Sequence, residues 1–134
     1  MTTPTAPIAL VTGTSSGIGQ AIAQRLLANG WQVHGLDFAP APNLSAMFTS
    51  SVVDLTQSDA LENALSQILT NGTPQALVHA AGILRVGSLG ALNFNDGQHM
   101  WQLHVAAATQ LANRILPLMH VAKYGRMVMV GSRV

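Results

Sequence analysis

Two spacings of apolar residues alternate along this chain. Ile8–Thr12 is a short, continuous apolar run of the kind that forms a strand buried on both faces of a parallel sheet. Residues 31–37, 46–53, 76–80 and 126–130 are further short runs bounded by Gly, Pro, Asn or Asp, and they are read as four more strands. Between them the spacing lengthens to that of a helix. In residues 17–29, Ile18, Ile22 and Leu26 recur every four positions with Ala21 and Leu27 beside them, which predicts one apolar helical face. Gly30 is placed to stop that helix as its C′ residue. Ser58 or Asp59 is placed to cap a second helix reaching about Thr70, with Leu61, Leu65, Ile68 and Leu69 inward and Asn71-Gly72-Thr73-Pro74 ending it. After an irregular loop over residues 83–92, Asn95 or Asp96 opens a long helix to about Val121, lined on one face by Met100, Leu103, Ala107, Leu111 and Ile115. Pro117 lies inside that pattern and predicts a kink or loosened last turns. Strands alternating with helices in this way predict an α/β fold, a doubly wound parallel sheet.

Composition narrows the classes. The 134 residues suffice for one domain with a single core. Hydrophobic residues make up 49% and charged residues only 8%, against roughly a quarter charged in an ordinary soluble domain, so much of the surface is expected to be meant for burial. The net charge is +1 without a basic run, which argues against a nucleic-acid or membrane-surface partner. With no cysteine, disulfides and thiolate metal sites are excluded. Residues 1–7 lack a charged n-region and an apolar h-region, and no apolar run is long enough to span a bilayer, so a cytoplasmic protein is expected.

The candidate chemistry begins where the first strand meets the first helix. Gly13, Gly17 and Gly19 form a tight turn there: the first bends the chain, and the others clear room for a pyrophosphate and for helix packing. The helix N-terminus then presents unpaired N–H groups and a positive dipole end to an anion. Asp37 ends the second strand. Either it simply closes that strand, or it accepts the ribose hydroxyls of an adenosine. In the second reading an acid favours NAD over NADP, since Thr14-Ser15-Ser16 supplies no cation to offset a 2′-phosphate. Asp54, closing the third strand, is either an acceptor for an adenine amino group or a turn residue.

These residues resemble the short-chain dehydrogenase/reductase family. Its T-G-x-x-x-G-x-G signature stands at residues 12–19, its acid at Asp37, its D-L pair at Asp54-Leu55, its N-N-A-G stretch as His79-Ala80-Ala81-Gly82, and its G-R-I-V-N-I-S-S strand at residues 125–132. The resemblance implies a Rossmann-type sheet of order 3-2-1-4-5-6-7, here stopping after the fifth strand. It assigns Gly13, Ser15, Ser16, Gly17, Ile18, Gly19, Asp37, Asp54, Leu55, Ala80, Ala81 and Gly82 to the cofactor, Ser132 and His104 to catalysis, and no residue to a metal.

Two histidines depart from the family pattern. His104 stands where the family has an asparagine that holds a proton-relay water, and His79 replaces an asparagine that braces the fourth strand, where a neutral, hydrogen-bonded imidazole is expected. His34, His99 and His120 lack metal-ligand spacing and are expected in surface or packing roles.

The family's active site resembles a Ser, Tyr, Lys set, of which Ser132 matches the serine. The Tyr-x-x-x-Lys helix is expected beyond Val134, so the chain is expected to be one NAD-binding domain lacking that part, with no turnover alone. Lys123 and Tyr124, adjacent and ahead of the fifth strand, read as a loop.

The resemblance implies an NAD-dependent oxidoreductase moving a hydride between nicotinamide and a secondary alcohol or ketone. Residues 80–87 are similar to dihydrodihydroxybenzoate dehydrogenases and residues 125–132 to 3-oxoacyl carrier-protein reductases, which leaves the subfamily open. The alternative is a catalytically inactive dinucleotide-binding fragment or interaction module. The outer face of the long helix over residues 95–121 is expected to form a homodimer or homotetramer.

Overall fold

The computed structural model describes residues 5–132. Five strands, β1 (Ile8–Thr12), β2 (Gln32–Asp37), β3 (Phe48–Val52), β4 (Ala76–His79) and β5 (Arg126–Met129), pair in parallel in the order β3-β2-β1-β4-β5. α1 (Gly17–Ala28) joins β1 to β2, and α2 (Ser58–Ile68) with a 3₁₀ turn (Leu69–Asn71) joins β3 to β4. The connection from β4 to β5 is one long helix in three parts: α3 (Phe94–Trp101), a π-helical turn (Gln102–Ala106) and α4 (Ala107–Ala122).

Because side chains alternate across a strand, the sheet buries two apolar layers. Leu10, Leu36 and Leu77 pack with Leu61, Leu65 and Ile68 of α2 and with Ala107, Leu111, Ile115 and Met119 of α4. On the opposite face Ala9, Val11, Val33, Ala76 and Val78 pack with Ala23 and the partly buried Ile22 and Leu26 of α1. Leu111 has no exposed surface and sits in the larger layer. Leu111→Ala is therefore expected to cost about 2–5 kcal/mol. Urea unfolding checks this, with a shifted midpoint at unchanged slope as the expected signature.

The predicted elements are all present, with local differences. Gly30 has φ +85° and donates its N–H to the Leu27 carbonyl, as a C′ glycine should. The stripe of α1 differs: Ile18 is 62% exposed and Ala21 is exposed, because the first turn of α1 projects past the sheet into a cleft. Neither Ser58 nor Asp59 caps α2; Gln57 holds the cap position without a side-chain bond, and Asp59 sits in the first turn, favourable to the dipole.

The long helix starts one residue before Asn95. The Asn93 side chain accepts from the N–H groups of Asn95 and Asp96 at 2.9 and 3.2 Å, so Asn93 is the cap. Helix continues through Pro117 to Ala122, and the departure from α geometry falls at Gln102–Ala106 instead. Lys123, at φ 59°, ends α4 in the left-handed conformation more usual for glycine. Among the described residues, no helix is long and apolar enough to cross a membrane.

Candidate functional site

Between β1 and β4 the chain switches the side on which it adds strands, and such a point opens a crevice beyond the carboxyl ends of a parallel sheet. A cleft of about 680 Å³ lies there. The β1–α1 turn contributes Gly13 and residues 15–19; the ends of β2 and β3 contribute Asp37, Asp54 and Leu55; the segment after β4 contributes Ala80, Ala81 and Gly82. Every cofactor residue expected from the sequence therefore lines one cavity.

The glycines of the turn act by different means. Gly13 has φ +80°, and a Cβ there would stand 2.8 Å from the Ala81 nitrogen. A Cβ on Gly19 would run into the Gly13 carbonyl, so α1 seats directly on the turn. Gly17, at φ +58°, faces open space. Ser16 holds the N-cap position of α1 but makes no side-chain cap bond. The first amides of the helix thus lack a capping side chain at the rim of the cleft.

Asp37 is only 8% exposed. Its Oδ2 accepts from the Ser15 N–H at 3.0 Å and the Ser15 hydroxyl at 2.6 Å, and its Oδ1 accepts from the Ala39 N–H at 3.3 Å. The carboxylate is thus held by the glycine turn itself, with no cationic partner among the described residues. Asp54 is exposed, and its Oδ1 accepts from the Thr56 N–H at 3.0 Å and hydroxyl at 2.6 Å, a turn role, while it also stands in the cleft wall. Leu55 beside it is buried.

The wall after β4 is tied down by two histidines. Thr12 Oγ1 accepts from the N–H groups of Ala80 and Ala81, both at 3.0 Å, and donates to His79 Nδ1 at 2.9 Å. His79 Nε2–H donates to the Leu103 carbonyl at 3.0 Å. The imidazole is buried and hydrogen-bonded, as expected: burial pushes its pKa below the ordinary value, the Leu103 carbonyl draws it up, and neighbouring His104 pushes it down. His104, on the π turn, lies with its ring over Gly82, where a Cβ would stand 2.8 Å from Cε1. Its Nε2–H donates to the Ile83 carbonyl at 2.9 Å.

Ser132 follows β5 on the same carboxyl edge, is exposed, and is not among the residues that line the cleft. Lys123 and Tyr124 precede β5, at the opposite edge of the parallel sheet, and Tyr124 packs against the Arg126 guanidinium 5.6 Å from its ring centroid. His34 bonds Thr49 and Ser51 of β3, a packing role. His99, in contrast, lines the cleft together with Arg85, whose backbone N–H is 3.4 Å from Met100 Sδ. Neither Arg85 nor His99 carries a periodic signal. Their position, after a strand end and on the helix facing it, is what places them in the wall.

The family model for short chain dehydrogenases matches residues 7–134. The chain is 29% identical over 132 residues to the short-chain dehydrogenase/reductase olcF of Penicillium canescens, covering 94% of this chain and 51% of that protein. It is 30% identical over 132 residues to the 3-oxoacyl-(acyl-carrier-protein) reductase FabG of Escherichia coli, covering 93% and 54%. A 4-hydroxyisoleucine dehydrogenase solved in complex with NADH superposes with a TM-score of 0.85 at 25% identity, covering 94% of this chain and 56% of that one. The chain spans about half the length of the curated relatives it matches. With its glycine turn, its parallel sheet and a match over nearly all its residues, the chain belongs to the short-chain dehydrogenase family.

Proposed function

We propose that this chain is the cofactor-binding portion of a cytoplasmic, NAD-dependent oxidoreductase that moves a hydride between nicotinamide and a secondary alcohol or ketone. The observation that carries the reading is Asp37, a buried carboxylate at the end of β2 bonded to the glycine turn. Beside the Gly13–Gly19 turn on which a pyrophosphate would sit, it is positioned to accept ribose hydroxyls and to repel a 2′-phosphate. The NADH complex of the 4-hydroxyisoleucine dehydrogenase supports a nicotinamide dinucleotide as the ligand.

The residues of the chain divide the work. Gly13, Ser15, Ser16, Gly17, Ile18 and Gly19 hold the phosphates; Asp37, Asp54 and Leu55 hold the adenosine; and Ala80, Ala81 and Gly82 form the wall leading toward the nicotinamide. The cofactor, when bound, supplies or takes up the hydride. Ser132 acts as a hydrogen-bond donor to the substrate oxygen. His104 keeps the Gly82–Ile83 wall in place and offers an imidazole near the reacting end. The family's tyrosine and lysine have no counterpart at the carboxyl edge among the described residues, so the reaction belongs to the whole protein. Trp101, Val105 and Leu116, exposed on the long helix, support pairing with a second copy of the chain.

Calorimetric titration of the chain with NAD+ and NADP+ tests the cofactor reading. NAD+ is expected to bind at least about tenfold more tightly, or about 1.4 kcal/mol. Equal affinities would overturn the preference, and absence of both would overturn the dinucleotide reading.

A further inference from the structure

The hydrogen bonds around His79 leave no freedom in where its proton sits. Thr12 Oγ1 has one hydrogen and two lone pairs. Both lone pairs are taken by the Ala80 and Ala81 N–H groups at 3.0 Å, so its hydrogen must go to His79 Nδ1 at 2.9 Å. Nδ1 therefore has to be bare. The remaining ring proton is on Nε2 and goes to the Leu103 carbonyl at 3.0 Å. Each hydrogen in the chain of bonds has one acceptor, and Thr12 Oγ1 uses both of its lone pairs.

A second proton on the ring cannot be fitted into this arrangement. Placed on Nδ1, it faces an oxygen that already accepts twice and whose own hydrogen points back at it. Relief requires the Thr12 hydroxyl to turn away and surrender the bond from Ala80 or Ala81. Those two residues line the cleft, and the Ala81 nitrogen is the atom that a Cβ added to Gly13 of the glycine turn would meet first, at 2.8 Å. A disturbance at His79 thus reaches the phosphate end of the cleft through two contacts. β5 closes the other side, with Met129 in register and Val130 N–H donating to the His79 carbonyl at 3.1 Å.

We propose that His79 is a positioning residue whose neutral imidazole holds the Ala80–Ala81 wall in its cofactor-binding shape, making dinucleotide affinity depend on pH. The proposal rests on the dinucleotide reading above. Of the elements packed against His79, β1 brings Thr12, β5 brings Met129, and the long helix brings Leu103 and His104. His104 is the titratable side chain among them, and its charge opposes one on His79. Burial acts in the same direction. Binding that requires the neutral ring is strongest while the ring is uncharged and weakens as pH falls through the ring's own pKa, which burial holds below the ordinary imidazole value.

Asparagine separates the two roles of the residue, because its amide oxygen stands where Nδ1 does and can accept from Thr12 without titrating, although the shorter side chain gives up the bond to Leu103. NAD+ affinity is measured by calorimetry from pH 7.5 to 5.0 for the chain and for His79→Asn, with a thermal melt at each pH to show the folded fraction. The wild-type chain is expected to lose between about threefold and 30-fold in affinity, the upper figure being the limit for an imidazole of ordinary pKa. His79→Asn is expected to bind within about threefold of wild type at pH 7.5 and to keep that affinity at pH 5.0.

A flat wild-type profile, or a slope that survives in His79→Asn, overturns the proposal. Should the variant not fold, NMR titration of the His79 ring with and without saturating NAD+ decides instead: bound cofactor must lower its pKa, and an unmoved pKa overturns the proposal. Binding without this slope sinks the proposal alone, whereas no NAD+ binding at pH 7.5 sinks the dinucleotide reading as well.

Discussion

Gly19→Ala is expected to lower NAD+ affinity at least about 100-fold, or about 2.7 kcal/mol, and to destabilise the fold. The added Cβ would overlap the Gly13 carbonyl, which is backbone and has no side chain to move aside. α1 must then lift off the turn, and over-packing of this kind costs about 1–3 kcal/mol or more. Gly17→Ala separates the two effects. Its Cβ meets nothing, so only the strain of a left-handed alanine, about 1 kcal/mol, falls on stability. Yet on the proposed reading that Cβ would occupy the part of the cleft where a pyrophosphate approaches. Melting and calorimetry together should therefore show Gly17→Ala folded but weakened in binding, and Gly19→Ala weakened in both. Affinity within threefold of wild type in Gly19→Ala would show that helix and turn are not seated as described.

Asp37→Ala is expected to act on selectivity. On the proposed reading, removing the carboxylate deletes the acceptor for two ribose hydroxyls and the like charge that would face a 2′-phosphate. NAD+ affinity should fall about 10-fold to 100-fold, on the scale of one or two charged hydrogen bonds of about 1.5–3 kcal/mol each. NADP+ affinity should fall far less or rise, closing the gap between the two. The Ser15 N–H and hydroxyl lose their acceptor, so the turn also loosens in the free protein. Parallel titrations with both cofactors measure the result, and an undiminished preference for NAD+ in Asp37→Ala would place the selectivity elsewhere.

Strand and helix order was legible in this chain because short apolar runs and four-residue spacings rarely mix within it. The glycine turn and the place of Asp37 in the cleft wall were legible for another reason: few residue types permit the backbone reversal after β1, and the end of β2 lies beside it. The π turn was not legible. Leu103, Ala107 and Leu111 keep a helical spacing straight across Gln102–Ala106, so the apolar face carries no mark of the change in hydrogen bonding. Pro117 misled because its ring is placed on the exposed side of α4 and the helix continues around it. Ile18 misled because periodicity cannot tell a face turned to a sheet from one turned to an open cleft. The partners of His79 lie on three elements, and a bond between Thr12 and His79 spanning 67 residues has no local signature.

The central position of β1 also orders events as the chain is made. β1, β2 and β3 are all contained in residues 8–52, so one half of the sheet can pair as soon as those residues leave the ribosome. β4, which pairs with the other side of β1, comes at residues 76–79. At the residue-by-residue pace of synthesis, Ala9–Thr12 waits for that partner with one side of its backbone unpaired and with Leu10 not yet covered by α2 and α4. An open apolar edge of this kind is a template for pairing with another nascent chain. During that interval the strand at the heart of the finished fold is its most vulnerable one.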